Sequence, residues 1–474
     1  MRTRTLEIAG GVRVVVPYSL NLLTPYVLFE QQDWFEDEIG FVRRLLRPGQ
    51  QAIDIGANYG VYTLTMAKIV GPTGAVWAFE PASSTVALLA QGISANEFSQ
   101  VVVECSAISS VCGTARLALN DNAEFNSLVR DELPAVATET VPVVTLDDCL
   151  QRYNWNVIDF MKIDAEGEET NIIAGARRFL AEFSPLILYE VKAGLDFHLE
   201  LVSEFARLGF ESYRLIPGLD LLVPFDVDSE PDDYLLNLFC CKKDRAASLA
   251  EMGLLIDAAT IKAGTDARRF ESFYQSHRNE YTWDRRLSTM PYGASLSSLW
   301  SKSAGDSATV GDVLACYAIS QDTSLDSFER LRGLEASFQL LKSLGKEIAQ
   351  YLRFSTLTRV ARDYGARTVA MKAIKHLLDS ISLKRPIDAS EPFLAPAKRF
   401  DTISPGARID DWMLAASAEG FERLQSFSSF YTGDSGRSRL ELIASLGFGS
   451  EEMGRRLLLL NTLFGTQSPP RHAE

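Results

Sequence analysis

The stretch Ala52-Ile-Asp-Ile-Gly-Ala-Asn-Tyr-Gly-Val-Tyr-Thr-Leu64 limits what this chain can fold into more than any other. A short apolar run ends at Asp54, a turn carries Gly56 and Gly60, and helical spacing (Val61, Leu64, Thr65, Ile69) follows at once. A strand that turns sharply into a helix is the opening unit of a parallel α/β sheet. The pattern then repeats. Apolar runs at 75–79, 101–104, 157–163 and 185–191 read as strands, and 85–97, 172–182 and 199–208 have helical periodicity. Residues 210–216 and 234–241 read as two further strands. The alternation predicts an α/β fold with a doubly wound, mostly parallel sheet. Before it, residues 6–16 read as a hairpin turning at Gly10-Gly11. Residues 113–120 and 140–146 read as a strand pair around a polar excursion, Asp121–Thr138. That excursion is expected outside the carboxyl ends of the strands, where ligands bind in such sheets.

From about Ala246 the strand pattern stops. Residues 246–261, 328–354, 356–364, 367–381, 408–430 and 451–464 have helical spacing, separated by loops at 287–306 and 382–405. The hairpin 357–381, turning at Gly365, resembles a tetratricopeptide-like unit, with no second copy at that period. At roughly 100–200 residues per domain, 474 residues divide economically into an α/β domain (1–245) and a separate, mainly helical domain (246–474). The helical half is the candidate surface for a protein partner or self-association.

No apolar run approaches the roughly 18 residues of a membrane span, and no apolar segment follows Arg2 and Arg4 to make a signal peptide. The six cysteines form no C-x-x-C pair. A cytoplasmic setting is expected, with Cys105, Cys149 and Cys316 as small buried residues. Residues 1–245 hold 19 Lys+Arg against 35 Asp+Glu, and residues 246–474 hold 28 against 27, so the net charge of −15 lies in the first half. An acidic first half would repel a phosphate backbone, so nucleic acid is not the expected partner.

Two clusters carry the chemistry. In the first, Gly56 and Gly60 would let backbone approach a ligand, and the following helix N-terminus favours an anionic group. Asp54 can accept from an ammonium. A dinucleotide site wants G-x-G-x-x-G, and Asn58 stands where the middle glycine should be. S-adenosylmethionine has no pyrophosphate, and its carboxylate and ammonium suit a glycine turn beside an Asp. Glu80, ending the next strand, can accept from both ribose hydroxyls, which either cofactor would supply.

The second cluster is Val157-Ile-Asp-Phe-Met-Lys-Ile-Asp-Ala-Glu-Gly-Glu-Glu169. Asp164 and Glu166 can converge from one turn, with Glu190 at the end of the fifth strand as a third member. Three carboxylates could hold a divalent cation, or one could serve as a base near neutral pH. Glu168 and Glu169 read as charges on the first helical turn. His198, a short loop beyond the fifth strand, could reach the site as a base.

With these motifs in view, the chain from about Leu6 to Lys243 resembles the FkbM family of S-adenosylmethionine-dependent methyltransferases. The resemblance rests on Asp54–Gly60, Ala78-Phe-Glu-Pro81, Val144-Thr-Leu-Asp-Asp148 and Asp159-Phe-Met-Lys-Ile-Asp-Ala-Glu-Gly167. Gly175-Ala176, Tyr189-Glu-Val191 and the upstream run Asp33–Glu38 accompany them. It implies the class I methyltransferase fold, S-adenosylmethionine as cofactor, and methyl transfer to oxygen on a sugar, glycan, glycolipid or related metabolite. Gly56, Asn58, Gly60 and Glu80 would hold the cofactor, and Ser106 and Ala107 would lie near its adenine. Asp164, Glu166 and Glu190 would line the acceptor side. The resemblance does not reach the helical half. Two other readings stay open: a non-catalytic scaffold for glycan-modifying enzymes, and an NAD-dependent nucleotide-sugar enzyme.

Overall fold

A computed structural model of the chain describes residues 2–120, 122–129, 137–193, 196–264, 274–275, 280–302, 308–344, 351–383 and 386–465. Two units emerge. The first comprises Met1–Leu215, Leu222–Pro231 and Leu235–Leu254, and the second Ile216–Leu221, Asp232–Tyr234 and Leu255–Glu474.

In chain order the first unit runs β1 (Thr3–Ile8), β2 (Val12–Pro17), α1 (Leu23–Gln31), α2 (Asp37–Leu45), β3 (Gln51–Ile55), α3 (Val61–Val70), β4 (Ala75–Phe79), α4 (Ser83–Asn96) and β5 (Val101–Glu104). It continues with β6 (Ala107–Ile108), β7 (Gly113–Ala118), β8 (Ser127–Leu128), β9 (Thr138–Val144), α5 (Leu146–Tyr153), β10 (Phe160–Ile163), α6 (Glu169–Ala174), α7 (Arg177–Glu182) and β11 (Leu186–Glu190). A short ribbon, β12 (Lys192–Ala193) and β13 (Asp196–Phe197), precedes α8 (Glu200–Arg207), β14 (Glu211–Ile216), β15 (Leu221–Pro224), β16 (Asn237–Cys241) and α9 (Lys243–Glu251).

The main sheet has the order β15-β14-β16-β11-β10-β3-β4-β5. Pairs from β5 to β11 are parallel, and β16 runs antiparallel to both β11 and β14. The chain leaves β3 toward β5 on one side, then returns to β10 and β11 on the other. This is the strand order of the class I methyltransferase fold, in which β16 is reversed against both β11 and β14. Its switch point lies between β3 and β10, where a crevice opens at the strands' carboxyl ends. Central strands bury both faces, so they read as unbroken apolar runs. All four residues of β10 are buried, Lys162 among them.

Several elements differ from the sequence reading. The hairpin and the strands from β3 to β5 stand where expected. Helix α1 went unread because seven of its nine residues are buried, which leaves no amphipathic stripe. Residues 146–153 are helical because the Thr145 hydroxyl accepts from the Asp148 N–H and starts a helix. The single helix expected over 172–182 is two. A Cβ at Gly175 would stand 2.2 Å from the Ser109 carbonyl oxygen, so the backbone passes tightly there. The Asp147 carboxylate then accepts from the N–H groups of Arg178 (3.1 Å) and Phe179 (2.8 Å), restarting the helix as α7. Strands β7 and β9 form the predicted pair within a smaller sheet, β6-β9-β7-β8. Residues 121 and 130–136 of the excursion lie outside the described residues. Cys105 is exposed, not buried.

In the second unit, every regular element described from residue 255 onward is helical. Residues 287–306, read as a loop, include the helix Pro291–Lys302. Arg353–Tyr364 and Arg367–Leu383 form the expected hairpin, turning at Gly365 (φ +85°). Two short segments from the first half of the chain belong to this unit. Gly218 N–H donates to the Asp363 carbonyl (2.8 Å), and the Asp232 carboxylate accepts from the Thr368 N–H (2.9 Å). Among the described residues, no helix is long and apolar enough to cross a membrane.

Candidate active site

The ends of β3, β4 and β10 open into a cavity of about 960 Å³, mouth included. Asp54, Gly56, Asn58, Glu80, Ser106, Ala107, Asp164 and Glu166 all line it, as the sequence clusters predict.

Gly56 works differently from the expectation. It has φ +79°, and a Cβ there would come within 1.7 Å of the Asp164 carbonyl oxygen. Its N–H and that of Ala57 both donate to the Phe79 carbonyl (3.0 and 3.1 Å). The glycine therefore lets the two motif loops touch, and its amide is spent inside the protein. Gly60 is outside the lining. It opens α3 at φ +88° against the Leu89 side chain.

Glu80 accepts from the Asn58 N–H on one oxygen and the Ala82 N–H on the other, both at 2.9 Å. Burial pushes its carboxyl up to about 7, against those two donors. Asp54 is 1% exposed. Its Oδ2 accepts from the Thr63 hydroxyl (2.5 Å), while Oδ1 is enclosed with no hydrogen-bond partner. Burial raises its pKa, with Lys162 and Thr63 acting the other way.

Lys162 and Asp54 are register partners on adjacent parallel strands. The Lys162 ammonium lies 2.6 Å from Asp164 Oδ2 and 4.9 Å from the centre of the Tyr62 ring. Burial opposes its charge most strongly, but Asp164, Asp54 and Glu36 outweigh burial and raise its pKa. Glu36 accepts from the Tyr62 hydroxyl (2.5 Å), which brings the upstream acidic run to the cavity, and Trp34 lines it directly.

Asp164, Glu166 and Glu190 each bring a carboxylate oxygen within 4.8 Å of the others. Burial pushes the Glu166 carboxyl up to about 8, helped by Asp164 and Glu169. Burial also drives Glu190 far up, followed by repulsion from Asp164 and Glu166. Glu166 holds φ +49°, unusual for a residue with a Cβ, next to Gly167 at φ +94°. Glu168 and Glu169 are buried rather than solvated, which corrects the expectation. Glu168 accepts from the Ser109 hydroxyl (2.8 Å), and Glu169 accepts from the Ala165 N–H (3.0 Å) to hold the turn. His198 is not brought to the cavity lining. Its half-exposed ring lies 3.0 Å from Glu200.

Part of the cavity wall comes from the excursion. Ala123, Glu124, Asn126, Ser127 and Leu128 line the cavity. Asn122 and Glu124 tie this wall to α1. Leu23 N–H donates to Asn122 Oδ1 (2.7 Å), and Thr24 donates its N–H (3.1 Å) and its hydroxyl to Glu124 Oε1. Lys162, Glu36 and Glu124 are the site residues that sequence reasoning passed over. Lys162 offered a signal, as a lysine inside an otherwise apolar central strand.

Residues 54–212 match the family model of the methyltransferase FkbM domain. Among curated proteins, none matches the sequence. Similar solved structures include a putative rRNA-methylase from Clostridium thermocellum, at 10% identity over 44% of this chain and 95% of that one (TM-score 0.29). Another is methyltransferase FkbM from Methylobacillus flagellatus KT, at 16% identity over 43% of this chain and half of that one (TM-score 0.28). A third is a putative methyltransferase from Streptococcus mutans in complex with SAH, at 10% identity over 43% and 95% (TM-score 0.27). The two motif loops that meet at Gly56 and Asp164 both lie within the residues, 54–212, that match this methyltransferase FkbM domain.

Proposed function

We propose that the chain is an S-adenosylmethionine-dependent O-methyltransferase acting on a hydroxyl of a sugar, glycan, glycolipid or related metabolite. The observation that carries this reading is the predominance of acidic groups in the cavity, which a bound cation would draw into their charged form. Among the described residues its lining has six acidic ones, Asp54, Glu80, Glu124, Asp164, Glu166 and Glu168, and a single basic one, Lys162, already paired with Asp164. Such a lining suits a cofactor that brings positive charge and opposes a pyrophosphate.

The residues fit S-adenosylmethionine. Asp54 Oδ1 is an enclosed acceptor in want of a donor, which the amino-acid ammonium supplies. Glu80 is fixed through one backbone N–H on each oxygen, leaving a lone pair on each for the two ribose hydroxyls. Ser106 and Ala107 would flank the adenine. When bound, this cofactor supplies a methyl group on a sulfonium. The chain's part is to place an acceptor hydroxyl in line with that methyl and to take its proton. Asp164, Glu166 and Glu190 do this in the proposal. One of their carboxylates would take the hydroxyl proton as the acceptor oxygen becomes the nucleophile.

The same three carboxylates favour a second reading, in which a divalent cation activates the hydroxyl. An all-oxygen donor set suits Mg²⁺, Mn²⁺ or Ca²⁺. Melting of the protein with each ion separates the two, since only a true ion site raises the midpoint at micromolar metal.

The test of the main reading is melting with S-adenosylmethionine, S-adenosylhomocysteine or NAD. Ligand at 100 times its dissociation constant adds about 2.7 kcal/mol to the folded state. A shift with the first two alone is expected. A shift with NAD alone would overturn the reading.

A further inference from the structure

Two carboxylate oxygens in the cavity lining are enclosed without a hydrogen-bond partner: Asp54 Oδ1 and Glu124 Oε2. An unpaired carboxylate oxygen shut away from water is unfavourable unless a donor or a cation meets it. Asp54 is accounted for by an ammonium. Glu124 is not. Its Oε1 is committed to Thr24, which anchors the side chain and leaves Oε2 as the unmatched atom. Lys162 is the one basic side chain lining the cavity among the described residues, and it is engaged at Asp164. Among the described residues nothing pairs with Glu124 Oε2, and a cation held in the cavity would do so.

Resting on the methyltransferase reading, we infer that Glu124 is a specificity residue selecting the methylated, cationic cofactor over its demethylated product. S-adenosylmethionine carries two positive centres, the ammonium and the sulfonium. S-adenosylhomocysteine keeps only the ammonium, because loss of the methyl turns the sulfonium into a neutral thioether. Two unmatched carboxylate oxygens meet two cationic centres before transfer and only one after it. The neighbourhood of Glu124 supports this placement. Its charge acts on Tyr59, beside the Glu80 loop, and on Glu166, on the acceptor side. Glu124 thus lies within electrostatic reach of both the cofactor-holding and the acceptor-holding residues of the lining. Methyl transfer would then remove the charge that Glu124 holds, and the product would loosen by the chemistry itself.

The test is calorimetric titration of the full chain with S-adenosylmethionine, S-adenosylhomocysteine and sinefungin, whose amine keeps a positive charge in place of the sulfonium. Wild type should bind the two cationic ligands about tenfold or more tighter than S-adenosylhomocysteine. Glu124→Gln keeps the shape and an oxygen for Thr24. It should weaken both cationic ligands about tenfold and change S-adenosylhomocysteine less than about twofold. Thr24→Val, which loosens the anchor without touching the charge, should weaken the two cationic ligands in the same sense but by less. Equal weakening of all three ligands by Glu124→Gln, or no weakening, overturns the inference. Wild-type protein that binds none of the three overturns the methyltransferase reading itself, a distinct result.

Discussion

Lys162 puts an ammonium inside a strand whose neighbours are buried on both sides, and it persists there because three carboxylates face it. Replacing it by Met leaves Asp54 and Asp164 without a counter-charge. Lys162→Met should lower unfolding free energy by about 3 kcal/mol, read from urea melts. Glu166→Gln should keep cofactor affinity and reduce transfer to any accepted hydroxyl about a hundredfold. Because burial holds the Glu166 carboxyl near 8, the wild-type rate should climb with pH up to about that value, and the variant should lose this limb. Unchanged turnover would remove Glu166 from the proposed chemistry. The acids at strand ends were legible in the sequence because carboxylates following apolar runs have few structural uses. Glu124 was not, because an acid in a polar loop looks like any other, and only its contact with Thr24 gives it a place.

At the scale of elements, much of the family signature proves to be joinery. Asp147 restarts α7, Thr145 starts α5, and the Asp159 carboxylate accepts from the Gln51 N–H at the foot of β3 (2.9 Å). Asp147→Ala should cost about 1 kcal/mol through the lost cap, measurable by denaturant midpoint, with cofactor binding retained. A loss of cofactor binding at constant stability would mean that Asp147 reaches the site. Strand order was readable because alternation of period two and period 3.6 survives in central elements. The split between α6 and α7 was not readable. Its cause, the Ser109 carbonyl beside Gly175, lies on a remote stretch of chain that no local pattern reports.

Across the molecule, acidity concentrates where the proposed cofactor would bring positive charge. Glu80 near 7, Glu166 near 8 and the raised Glu190 all bind protons more tightly folded than unfolded. Their stabilising contribution is therefore present at about pH 4.5 and lost as pH rises through 7 and 8. The melting midpoint of ligand-free protein should fall between pH 5 and 8.5, and Glu166→Gln should flatten that slope. A midpoint that rises over this range would show that these carboxyls are not held protonated. The loss of strand pattern puts a boundary near residue 246, whereas the units divide at Leu254–Leu255 and two segments of the first half belong to the second unit. That threading bears on how such a gene can be recombined. A single crossover after β16 would carry off the helices yet leave Gly218 and Asp232 behind, with the Asp363 carbonyl and the Thr368 amide deprived of their mates. The helical half is thus poorly suited to travel as a cassette, and inheritance would favour passing both halves on together.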